Sequence, residues 1–262
     1  SLRGINVDLN KLHTGRSLHS TVLADGEYSI QYIVAVLNSS LLTHFYRSLS
    51  QEVGRAQAQV NLDDVRQLPI RAINFTTQDK ERKQLLEKGK GLYQEYLVSQ
   101  DWSKVLTFVA QCLPQKADGI PDTEHEQSDV VHDLLAFLAE EMTRLNKEKQ
   151  SKIRSFLTWL EKEILKGSVE DQKNKTKIKG FHEGTLEELM DVLKKNKVIP
   201  DPCSSNIWNT INAEFSAAMT GLAPLKDHIA ATDKLIDQVV YKLYNLTDDE
   251  IAIVEGRGQD KQ

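Results

Sequence analysis

In SDVVHDLLAFLAEEMTRLNKEKQSKIRSFLTWLEKEI, residues 128–164, the apolar residues Val131, Leu135, Leu138, Met142, Leu145, Ile153, Phe156, Leu160 and Ile164 recur at steps of three and four. Lys149 occupies the one slot where the pattern expects an apolar side chain. An α-helix turns once in about 3.6 residues, so this spacing draws one apolar stripe along a single long helix. Such a stripe is costly in water and needs another helix against it. The spacing therefore predicts a helix over 128–165 and a second helix to cover it.

The natural partner lies downstream. Residues 225–244 place Leu225, Ile229, Leu235, Ile236, Val239, Val240, Leu243 and Tyr244 inward, and a further helix is expected over 204–221. Together they predict an antiparallel bundle. Thr185 with Glu188, and Thr247 with Glu250, have the spacing of capping boxes and mark two more helix starts. The Lys- and Gly-rich stretch 166–184, ahead of the first of them, reads as an exposed loop or a mobile linker, and Arg257–Gln262 as a disordered tail.

Upstream, residues 79–98 and 102–113 read as helices, although Gly89 and Gly91 each cost the first about 1 kcal/mol relative to Ala. Pro114, Gly119 and Pro121 make 114–127 a linker. Ile30, Ile33, Val34, Leu37, Leu41 and Phe45 predict one amphipathic helix to about Leu49, capped by Ser29. Short strands are expected at Ser20–Leu23 and Ile70–Phe75. The fold class is thus mainly α with a small α+β amino-terminal part and long antiparallel helices forming a bundle or coiled-coil-like scaffold. Three segments follow: 1–75 as the α+β region, 76–127 as connecting helices and linker, and 128–262 as the helical scaffold.

The 262 residues carry a net charge of -5, but unevenly: residues 1–100 hold 12 Lys and Arg against 10 Asp and Glu, and the remainder 21 against 28. The amino-terminal third is the better candidate for touching a polyanion. No apolar run approaches the roughly 20 residues of a membrane span, which points to the cytoplasm and no membrane partner. Cys112 and Cys203 stand far apart, and the seven histidines are scattered, so neither a disulfide framework nor a metal site is expected.

Catalytic motifs are scarce. An amino-methyltransferase needs a Pro-Pro-aromatic loop to hold a flipped base, yet none of the six prolines is followed by another. A metal-dependent nuclease needs two carboxylates on Mg²⁺ and a nearby Lys; Asp122 and Asp171-x-Lys173 fit only formally. The chain is therefore expected to be no enzyme by itself and to hold no cofactor. Groups able to read base edges do concentrate outside the helices. They are Arg16 and His19 early in the chain and Arg55, Gln57 and Gln59 in the loop 50–60, with Arg47 on the helix leading into it. The lysines Lys173, Lys175, Lys177 and Lys179 either follow a phosphate backbone or are simply solvated.

Two segments carry a family resemblance. YIVAVLNSSLLTHFYRSL (32–49) followed by GRAQAQVNLDDVRQLPI (54–70) resembles the segment of type I specificity subunits and of fused type IIG restriction–methyltransferase enzymes in which a helix leads through a Gly-containing loop to an L-P-I end. AATDKLIDQVVYKLYNLTDDEIAIVEG (230–256) resembles the carboxy-terminal end of many of those adenine-methyltransferase proteins. The resemblance implies a target-recognition domain on double-stranded DNA, spaced by helices from an upstream methyltransferase domain that uses S-adenosylmethionine. It also implies that the chain begins inside or near the end of that recognition domain. The alternative is a helical packing or homodimerisation module without DNA contact.

Overall fold

A computed structural model describes residues 26–49 and 62–257. It is mostly helical and divides into two compact units: unit 1, residues 1–143 with 231–262, and unit 2, residues 144–230. Both boundaries cut within long helices. Among the described residues there is no strand, only an isolated bridge between Gln115 and Pro121. Ser20–Leu23 lie outside the described residues.

The predicted helix from Ser29 to Leu49 is two helices, α1 (Ile30–Asn38) and α2 (Ser40–Leu49). Ser39 breaks it: its backbone is extended, its hydroxyl donates to the Val36 carbonyl at 2.6 Å, and the same oxygen accepts from the Leu42 amide. One serine thus closes the first helix and opens the second. Asp237 strengthens that start, accepting from the Ser40 amide and hydroxyl, each at 2.6 Å, where the helix dipole favours an anion.

The short α3 (Leu62–Val65) leads into Ile70–Phe75, the expected strand. This segment pairs with no strand because side chains take the ladder's place. The Arg71 amide donates to the Tyr244 hydroxyl, Ile73 to Tyr28, Asn74 to Ser128 and Thr77 to Asp129, at 2.9–3.1 Å. Backbone amides leaving water need acceptors, and any well-placed oxygen serves.

Helices α4 (Asp79–Ser99) and α5 (Ser103–Cys112) pack together. Gly89 has a reason to be in α4: a Cβ there would lie 3.2 Å from the Phe108 ring and 3.3 Å from Leu134. The 33-residue α6 (Ser128–Leu160) confirms the stripe, ending in a π-helical turn, Glu161–Leu165. In unit 1 its residues Val130, Val131, Leu134, Leu135 and Leu138 share a core with Tyr32, Tyr93, Phe108, Leu235 and Val239.

In unit 2 the expected exposed loop 166–184 is largely structured. It holds the 3-10 turns Val169–Asp171 and Phe181–Glu183 and the short helix α7 (Lys175–Lys179). Val169, Ile178 and Phe181 are each nearly buried, and three apolar anchors suffice to pin a lysine-rich stretch that composition alone marks as solvated. Helix α8 (Leu186–Lys195) starts at the Thr185–Glu188 capping box, and α10 (Asp248–Val254) at the Thr247–Glu250 box. Between them the expected helices 204–221 and 225–244 are one, α9 (Ser205–Leu243), with Pro224 inside it. Proline removes one helical hydrogen bond; Leu222 and Leu225 are buried on either side of it, and their burial favours continuity.

Candidate nucleic-acid interface

Of the residues predicted to read DNA, Arg16, His19, Arg55, Gln57 and Gln59 lie outside the described residues. Arg47 is described: it is exposed in the last turn of α2, two residues before the helix ends. Helices α2 and α3, the described elements on either side of residues 50–61 in the sequence, pack together. Arg47 is thus the described candidate residue nearest in sequence to Arg55, Gln57 and Gln59.

What the structure does show is how the residues after α3 are held. Beyond α3, Leu68 is buried and the Pro69 carbonyl accepts from the Tyr244 hydroxyl at 2.7 Å. The Arg71 guanidinium bonds the Leu243 carbonyl and reaches Glu126 at 2.5 Å, and Asn74 donates to the other Glu126 oxygen at 3.0 Å. The Glu126 side chain is only 3% exposed and that of Arg71 19%, so each ion depends on the other. Around this clamp Pro69, Ile70, Arg71, Pro121, Thr123 and Tyr244 line a shallow open depression.

A second network fixes the entrance of α1. His132, nearly buried, sits among the rings of Tyr28, Tyr32 and Phe75. Its Nε2 accepts from the Ser29 amide at 3.0 Å, so the ring proton is on Nδ1, which donates to Asp133 at 2.9 Å. Asp133 also takes two bonds from Arg82, at 2.7 and 2.5 Å, and that guanidinium lies 5.1 Å above the Phe75 ring. Burial pushes the Asp133 carboxyl up, but the bonds from His132 and Arg82 outweigh it and hold the group below the ordinary carboxylate range.

Sequence reasoning missed Arg71, Glu126, Tyr244 and Asp237. Their partners are 55, 173 and 197 residues away in the chain, and no spacing rule covers such distances. The three residues considered for a nuclease have local partners or none of catalytic kind: Asp122 holds His125 at 2.9 Å, Asp171 closes a 3-10 turn, and the Lys173 amide bonds Asn196.

The described parts of 32–49 and 54–70 and residues 231–256, whose sequences resemble one family, come together in unit 1: Asp237 caps α2, and Tyr244 clamps the segment after α3. Residues 4–70 match the TaqI-like C-terminal specificity domain. The chain thus carries a segment similar to restriction–modification specificity regions. The specificity-domain match takes in α1, α2, α3 and the segment 50–61, and ends at Ile70, one residue before the Arg71 clamp. Residues 127–240 match a second family, described as a domain of unknown function (DUF8810), which includes all of unit 2. No curated protein and no solved structure matches the chain.

Charge follows the units rather than the thirds of the chain. Unit 1 holds 18 Lys and Arg against 26 Asp and Glu, or -8; unit 2 holds 15 against 12, or +3. Among the described residues no helix is long and apolar enough to cross a membrane.

Proposed function

We propose that the chain is the DNA target-recognition and helical scaffold part of a bacterial restriction–modification enzyme, non-catalytic by itself. The observation that carries this reading is the specificity-domain match over residues 4–70. The clamps that tie its described helices to α6 and α9 support the scaffold half of it. Arg16, His19, Arg47, Arg55, Gln57 and Gln59 are the proposed DNA-contacting side chains. Arg and Gln can meet guanine and adenine edges with two bonds, and an exposed Arg at the end of α2 suits a phosphate. S-adenosylmethionine belongs, in this reading, to an upstream methyltransferase domain of the parent protein, and the assembly works in the cytoplasm.

Duplex binding by the full chain tests it. Binding is expected to weaken steeply with salt, and Arg55→Ala with Gln57→Ala to erase any preference between duplex sequences. Absence of binding at low salt refutes the recognition role.

A further inference from the structure

The carboxy-terminal end of α8 and the segment around α7 are stitched together in unit 2. The Asn196 side chain accepts from the Lys173 amide at 2.8 Å and donates to the Lys173 carbonyl at 2.9 Å, and α7 packs on α8. That stitch gathers two lysine runs which the sequence separates, Lys173, Lys175, Lys177 and Lys179 with Lys194, Lys195 and Lys197. Within 173–179 and 194–197 there is no carboxylate; Asp171 and Asp191 flank the two runs in sequence, and Glu187 and Glu188 sit in the first turn of α8. Glu170 takes up Lys175 and Lys179, and Asp201 takes up Lys194. Among the described residues no carboxylate pairs with Lys173, Lys177, Lys195 or Lys197, and all four are exposed.

The chemistry of the cluster selects its partner. Every cation in it is lysine, a compact charge on a flexible stem, without the planar fork that reads base edges or grips a carboxylate with two bonds. Like charges held together repel one another unless a polyanion approaches, and a chain of phosphates at regular spacing satisfies many at once. We propose that this lysine cluster of unit 2 is a second contact for duplex DNA, holding the phosphate backbone without reading sequence. The proposal rests on the reading that the chain engages a duplex, and it assigns to unit 2 the sequence-independent share of the affinity.

The test uses the full chain, a labelled duplex of about 30 base pairs and a salt series. A variant carrying Lys173→Ala, Lys177→Ala, Lys195→Ala and Lys197→Ala should make the slope of log affinity against log salt shallower by roughly 2 to 4, at about 0.9 per phosphate contact. The weakening should be equal for every duplex sequence, and the four Lys→Arg changes should restore it. Acetylation of the wild-type lysines, read by mass spectrometry, should show these four protected by duplex, with no variant needed. Unchanged slope, or equal labelling with and without duplex, overturns the proposal. If the lysine variant keeps wild-type binding while Arg55→Ala with Gln57→Ala loses sequence preference, only this inference fails. If the reverse holds, only the recognition role of the loop fails. If the wild type binds no duplex, or if an acidic protein and not DNA protects the lysines, the lysine cluster is not a DNA contact.

Discussion

The described residues that are both polar and nearly buried are Ser39, Thr43, Glu126, Ser128, Asp129, His132 and Thr232, and all belong to unit 1. Unit 2 has a core of another kind. Phe156 and Phe181 lie 4.1 Å apart and Phe215 meets both edge-on at 6.0–6.2 Å, among Ile153, Leu160, Leu189 and Leu193, and its ion pairs lie at the surface. Apolar contacts are adaptable in geometry, whereas buried hydrogen bonds tolerate little displacement. Unit 1, which holds the described part of the specificity-domain match, is therefore the one whose backbone is fixed by directional bonds. Unit 2 keeps its charge outside, where a solvated partner can reach it.

The largest effect that would sharpen this contrast is Arg71→Ala. It leaves the Glu126 carboxylate buried without its cation, and about 3–5 kcal/mol of unfolding free energy should be lost in a denaturant titration. A loss within the error of the titration would mean that the clamp is ornamental. Leu193→Ala in unit 2, where the side chain has no exposed surface, should cost roughly 2–5 kcal/mol. Hydrogen exchange should place its effect within 144–230, and equal loss of protection in residues 128–143 would break the division into units.

Next in size, Asp237→Ala should cost about 1–2 kcal/mol by removing the anion at the start of α2, with faster amide exchange at Ser40 as its signature. Acid is a milder probe. Asp133 is held below the ordinary value of 3.8, so its contribution is complete above that value and fades as pH falls through the lower folded value. Asp133→Asn should flatten the acid limb of stability against pH, and an unchanged limb would place the loss in other carboxylates. The smallest effect is chemical: burial pushes the Cys112 thiol up to about 11, so in the folded chain an alkylating reagent should modify the partly exposed Cys203 well before Cys112.

Much was legible from local pattern. The stripe of α6, both capping boxes and the linker 114–127 depend on neighbours within four residues, and the structure contains each of them. The break at Ser39, the continuity of α9 through Pro224 and the order in 166–184 were not legible. Each is decided by a residue whose local preference is overridden or redirected: Ser39 by its own hydroxyl and by Asp237, Pro224 by buried leucines, and the lysine stretch by Val169, Ile178 and Phe181. For the candidate site, the residue types that can read DNA were visible in the sequence. The clamp that holds the residues after α3 was not.

Amino-acid order by itself determined where helices form and which faces are apolar, because a period of 3.6 residues is a property of the backbone and needs no distant partner. It also carried the family resemblance in two separated motifs. Only tertiary structure decided that these motifs meet, that Ile70–Phe75 bonds to side chains rather than to a strand, and that Asn196 ties the start of one lysine run to the end of the other. Such pairings link residues many positions apart, and their energy exists only once the chain has closed around them.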